Sequence, residues 1–296
     1  MTTAFVQTRQ PRGLVLAWAM LVGLTRRSPT FVLGTAIVLV FAALAALAPW
    51  LTDYRPTQTF PDHVLSGPSA QFWFGTDGNG MDVFSRVIHG SQYAFGIAIP
   101  ALLLMMVIGV PAGLIAGYRG GAIDDLLLRT FDVLRAFPTI VLALAVVAAT
   151  GQSIVIVVLV IGFLEAPIFA RIVRSEVLAL RSSELVEAAV AVGNSTWRVM
   201  LVHVLPNSIR GATAQMAIRM AWAIRVSTTL AFIGVGIQAP APEWGVMIRQ
   251  GAEYINSGEW WIATFPGVAL VGLVLGLNLF GDGAQDLLDP KHSDSR

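Results

Sequence analysis

The chain of 296 residues contains no cysteine, one lysine (Lys291) and only 12% charged residues. Each scarcity removes a class of function. Without cysteine there are no disulfides, thiolate metal sites or cysteine nucleophiles. The lone lysine does not follow a Gly-x-x-x-x-Gly, so there is no loop of that kind to cradle a nucleoside triphosphate. The four histidines, His63, His89, His203 and His292, are scattered, and no His-Glu-x-x-His or Gly-x-Ser-x-Gly occurs. The expectation is a chain with no catalytic residues, no metal site and no cofactor of its own. A net charge of +1 gives no basic footprint for nucleic acid. A soluble domain carries about 25% charged and about 45–50% apolar residues. Here 55% are hydrophobic and the mean hydropathy is +0.71. That excess excludes a soluble enzyme and a disordered chain, and it points to a lipid bilayer.

A span needs about 20 mostly apolar residues. Six stretches qualify: Phe31–Leu51, Tyr93–Ala116 with Pro100 and Pro111 inside, Phe131–Thr150, Ser153–Phe169, Ala212–Ile237 and Trp261–Phe280. Leu14–Leu24 is too short to span and is predicted to lie along the membrane surface. Ala46-Leu47-Ala48 resembles a leader cleavage site, but Pro49 directly after it argues for an uncleaved span. Arginine concentrates before span one, after span two, after span four and in the tail, whereas the opposite side has only Arg55, Arg86 and Arg249. Excess positive charge stays cytoplasmic, so both termini are expected there. The predicted organisation is a cytoplasmic N-terminal segment (1–30), an all-α six-span domain (31–290) and a short tail (291–296).

Three regions outside the spans carry pattern. The external segment 52–92 includes Phe74-Gly75-Thr76-Asp77-Gly78-Asn79-Gly80-Met81-Asp82, rich in turn residues, followed by a short predicted helix Val83–Ile88. A calcium loop is excluded because Met81 and Ile88 stand where oxygen ligands are required. The cytoplasmic loop 171–210 predicts two short helices. The first is capped by Ser183 and stopped at Gly193. The second, Thr196–Val204, has Asn194, Ser195 and Thr196 as candidate caps and is ended or kinked by Pro206. Forty residues is long for a connector, which suggests a docking surface. In the external segment 238–260, Pro240 and Pro242 break the fifth span, Gly245–Ile255 is a candidate surface helix, and Trp244, Trp260 and Trp261 suit the interface.

Charges inside spans are expensive and normally face a bundle interior or a watery cavity. Here they are Arg219, Arg225 and Glu165. Arg219 and Arg225 are six residues apart, hence on different faces. Met216 and Trp222 flank Arg219, so these four residues are candidates for a translocation path. Snorkelling of Arg219 to the cytoplasmic surface, with Met216 and Trp222 as packing, is the plainer alternative.

Glu187-Ala188-Ala189, then Gly193, then His203-Val204-Leu205-Pro206 resembles the EAA motif of ABC importer permeases. Histidine in place of the general isoleucine is similar to the dipeptide/oligopeptide/nickel subgroup. So are Phe74–Arg86, Phe232–Gly236 with Pro240 to Gly245, and Asn278–Gly283 with Leu287 to Pro290. The single span before the Phe74 motif resembles the C-type subunit. The resemblance implies a bacterial inner-membrane permease that pairs with a homologous second permease. It also implies two ATP-binding subunits below, holding ATP and magnesium, and an extracytoplasmic binding protein above. Glu187, Ala188, Ala189, Gly193, His203, Leu205 and Pro206 would form the loop that couples to the ATPase. Peptides are the implied cargo, with nickel or metal chelates, glutathione and other small solutes as alternatives. Met81 stands where the subgroup usually has arginine, so the resemblance implies no ionic role there. Ser227 stands where many relatives carry a glutamate, with Arg219 and Arg225 nearby, so the fifth span is expected to be more positive and to favour substrates with a carboxylate. An ATP-independent transporter would have only Glu165 as a coupling carboxylate and would leave the cytoplasmic loop unexplained.

Overall fold

The computed structural model describes residues 28–288. The surface helix expected over 14–24 and the tail 291–296 lie outside them. Nine named helices follow in order: α1 Pro29–Leu51, α2 Val83–Arg119, α3 Gly121–Arg135, α4 Thr139–Thr150, α5 Ile154–Arg181, α6 Glu184–Ala191, α7 Leu205–Ile233, α8 Trp244–Ala252 and α9 Trp261–Leu288. Among the described residues, extended pairing is confined to two isolated bridges, Thr59 with Met81 and Thr76 with Asp82. Five helices (α1, α2, α5, α7 and α9) are long and apolar enough to cross a bilayer, and α3 with α4 makes a sixth, broken one.

The broken span corrects the expected third helix, Phe131–Thr150. Pro138 disfavours helical geometry at Phe137 and supplies no N–H, so the chain turns by 81° between α3 and α4. α4 alone, 12 residues or about 18 Å, is shorter than the roughly 30 Å hydrocarbon layer. α3 is amphipathic and tied to α5 by two ion pairs. Arg174 grips Asp124 through Nε and Nη2, both at 2.6 Å, and Arg171 pairs with Asp132.

α2 and α5 form the centre of the bundle. Gly109, Gly113 and Gly117 recur every fourth residue, so they share one face of α2. A Cβ on Gly109 would stand 2.5 Å from the Ala166 carbonyl, and one on Gly113 2.3 Å from the Ala170 carbonyl. The two backbones therefore touch, as small residues spaced by four allow within a membrane. α1 is mostly exposed and rests on α9, with Phe31 and Phe280 rings stacked at 5.1 Å.

Other boundaries also moved. The predicted helix Val83–Ile88 is the first part of α2, a single helix of 37 residues capped by Asp82, which accepts from the Ser85 N–H at 2.7 Å. α7 stops at Ile233, before Pro240. Gly234 there adopts φ 92°, and the Val235 N–H bonds back to the Leu230 carbonyl at 2.8 Å. That left-handed glycine, rather than the prolines, ends the fifth span.

Candidate functional site

The cytoplasmic elbow is built from α6 and its flanks. α5 continues to Arg181, so much of the predicted loop is helix that extends a span. α6 follows almost at once. Its first turn carries Glu184 and Glu187, acids that suit a helix N-terminus. Ser183 occupies the cap position, but its hydroxyl makes no bond. Its carbonyl instead accepts from Val186 and Glu187 at 3.0 and 3.1 Å. α6 ends in a glycine turn: Gly193 has φ 86°, its N–H bonds to the Val190 carbonyl at 2.9 Å, and the Asn194 N–H bonds to the Ala189 carbonyl at 3.3 Å. The Asn194 side chain donates to the same carbonyl at 2.9 Å, so it caps α6 rather than the next helix.

The segment after Gly193 departs from expectation. One turn, Thr196–Arg198, leads into a π-helical turn, Val199–Val204, and then into α7 without a break. The Leu205 N–H bonds to the Met200 carbonyl, five residues back. The wider turn lets Pro206, which brings no N–H, sit at the start of a continuous helix. Asn207 donates to the His203 carbonyl at 2.8 Å.

Ala189 and Val186 are buried, whereas Glu187, Ala188 and Gly193 are exposed. His203 and Leu205 are half-buried and Pro206 is exposed. Val192 is 84% exposed, and Val190, Leu185 and Trp197 are also open. An apolar, solvent-facing patch of this kind on a cytoplasmic elbow marks an interaction surface. Arg119 at the end of α2 lies 5.7 Å from the centre of the Trp197 ring, which steadies the elbow against the bundle.

At membrane depth, the structure separates the four candidate path residues. Arg219 Nη1 lies 3.5 Å from Glu165 Oε2 on α5 and so does not reach for the cytoplasmic surface. Its Nε has no hydrogen-bond partner. Met216 and Trp222 are both partly buried against the core, roughly 120° apart around the helix. Gln215, Ile218, Trp222, Arg225 and Thr229 follow at steps of three and four, and each keeps some exposure. Trp222 and Arg225 thus share one accessible stripe, with Arg219 at its edge. Arg225 is exposed in the single chain.

The external side is held by buried polar contacts that sequence reasoning missed. Arg86, 1% exposed, donates from Nη1 to the carbonyls of Pro56 at 3.1 Å and Pro240 at 3.2 Å. Its Nε stands 3.5 Å from Asp77 Oδ2, an ionic contact without a hydrogen bond. Asp77 in turn accepts from the N–H groups of Asn79 and Met81. Glu243 caps α8, accepting from the Val246 N–H at 3.0 Å, and takes the Thr228 hydroxyl of α7 at 3.1 Å. Burial pushes this carboxyl up to about 7, against those bonds, which favour the ionised form. The available signal was Glu243 placed directly before a helical run.

Comparison with known proteins decides the family. Residues 109–294 match the family described as binding-protein-dependent transport system inner membrane component. Residues 18–68 match the N-terminal transmembrane domain of oligopeptide transport permease C. The chain belongs to this family of ABC importer permeases. A dipeptide transport system permease protein DppC of Alkalihalophilus pseudofirmus is 40% identical over 90% of this chain and 87% of its own length. A glutathione transport system permease protein GsiD of Pectobacterium atrosepticum is 37% identical over 86% of this chain and 84% of its own. A chain of the MetNI methionine ABC transporter, solved in inward-facing conformations, aligns with TM-score 0.54 at 19% identity. The alignment covers 71% of this chain and 97% of that one, and the likeness is one of fold. The protein is therefore an all-α, multi-pass permease component of an ABC importer in the bacterial inner membrane.

Proposed function

We propose that this chain forms half of the translocation pathway of an ATP-driven importer of di- and oligopeptides. A homologous second permease supplies the other half. Two ATP-binding subunits, carrying ATP and magnesium, dock at the cytoplasmic elbow, and an extracytoplasmic binding protein delivers substrate to the outer face. The observation that carries the reading is α6. It is an exposed eight-residue helix hung between two long helices by a glycine-locked turn, and it presents Glu187 and an apolar edge to the cytoplasm. Movement of α6 by the ATPases would reach the membrane through α5 and α7, a two-state coupling between distant sites. Relatives named for dipeptide and for glutathione transport support a small peptide cargo, with glutathione as the second reading.

The test is substrate-stimulated ATPase activity of the complex in nanodiscs, with its binding protein and a panel of dipeptides, longer peptides, glutathione and chelated nickel. Stimulation by peptides, lost in Glu187→Arg with the complex still assembled, is the expected result. Failure to assemble with any ATPase overturns the importer reading, and stimulation by chelated nickel alone overturns the cargo.

A further inference from the structure

Arg225 is an exposed charge on a helix long and apolar enough to cross the membrane. Its guanidinium makes no hydrogen bond or ion pair with any described residue, and it stands on the exposed stripe of α7 beside Trp222 and Thr229. It lies eight residues from the external end of α7, about 12 Å along the helix and inside the candidate span. An arginine within a span is not left facing hydrocarbon, because a charge there is expensive. The stripe therefore faces water or another polar surface. A second guanidinium stands at the outer end of the same helix. Arg249 Nη1 lies over Gly234, where an added Cβ would come within 2.7 Å, and its Nε is buried without a partner. Arg219 sits about 9 Å deeper than Arg225, partly neutralised by Glu165.

We infer that Arg225 is a specificity-determining residue that receives the carboxylate of the substrate in transit. The inference rests on the peptide-importer reading and deepens it. Guanidinium pairs with carboxylate through two parallel, charge-assisted hydrogen bonds. Open Nη groups on an exposed stripe can form that pair with a transient guest and release it. Successive sites of moderate strength also suit passage, since a path must bind well enough to admit and weakly enough to let go. Arg249 at the mouth, Arg225 midway and Arg219 already shared with Glu165 form such a descending series. Trp222, one turn before Arg225, offers an apolar face to the side chain next to that carboxylate.

The experiment compares a tripeptide with its C-terminal amide. Each is loaded to saturation on the binding protein, whose own affinities are measured separately, and presented to the whole complex in proteoliposomes. The wild type is expected to import the acid about tenfold faster than the amide. Arg225→Gln should slow the acid alone and bring the two within about twofold, while Arg225→Lys keeps most of the preference. The inference is overturned if the wild type does not discriminate, or if Arg225→Gln slows both substrates equally. It is also overturned if Arg225→Gln prevents assembly, which would assign Arg225 to an acidic group on the second permease. A wild-type complex that imports neither peptide sinks the peptide-importer reading itself, and this inference falls with it.

Discussion

Arg219 Nη1 and Glu165 Oε2 face each other at 3.5 Å, 54 residues apart in sequence, and join α7 to α5 inside the bundle. Glu165 is 4% exposed and Arg219 20% by side chain. Removing one member of such a pair strands the other charge, whereas removing both is often nearly neutral. Glu165→Gln is therefore expected to destabilise the protein by up to about 3 kcal/mol, reduced by the partial exposure of Arg219. Glu165→Gln with Arg219→Gln should recover most of that loss. Thermal unfolding of the single and double variants in detergent checks the cycle, and additive losses would show that the pair is not coupled.

Gly193 holds φ 86°, and a Cβ there would meet no atom within 4 Å. The whole cost of a substitution is thus conformational, about 1–2 kcal/mol for alanine and less for asparagine. Gly193→Ala is expected to leave the complex assembled but to weaken substrate-stimulated ATP hydrolysis severalfold, with Gly193→Asn between it and the wild type. Equal rates in all three would mean that the turn angle does not govern coupling.

Glu243 gives the outer face a dependence on pH. Its carboxyl titrates near 7 in the fold, against a usual 4.5. The folded protein therefore holds a proton that the unfolded chain has released across that window. Stability is full below about pH 4.5, falls as pH rises, and has lost this contribution above about pH 7. Glu243→Gln should flatten that slope and melt higher than the wild type at pH 8, by up to about 3 kcal/mol at most. The Thr228 hydroxyl can accept from the new amide. Melting curves from pH 5 to 8.5 decide it, and parallel slopes for the two proteins would refute it.

The contact between α2 and α5 leaves no room at Gly113. Gly113→Leu should force the helices apart and sharply reduce folded yield, whereas Gly96→Leu on the same helix, where a Cβ meets nothing within 4 Å, should be tolerated. Size-exclusion profiles of the two variants from matched expression make the comparison, and equal profiles would contradict the packing.

Spans one, two, four and six were legible because long apolar runs have few alternative readings. The broken third span was not, since its apolar content is continuous and only Pro138 marks the turn. The elbow was readable at Gly193, where a single residue type answers a backbone need, but Ser183 misled because its carbonyl rather than its hydroxyl meets the helix. Pro206 misled in the opposite way: a π turn absorbed it. Arg219 could not be placed from sequence, because its partner Glu165 lies on another helix, and the latch from Glu243 to Thr228 depends on how α8 folds back over α7.

The π turn at Val199–Val204 stores one residue more than an α-helix would use over the same rise. Were it to tighten to ordinary pitch, everything before it, from Thr196 back to α6, would turn by about 100° and shift by about 1.5 Å relative to α7. The helix would stay unbroken, while Val199, Met200 and Val204, now buried, would have to repack. The elbow therefore sits on a screw thread, in which rotation on the cytoplasmic side is geometrically bound to advance along the membrane helix.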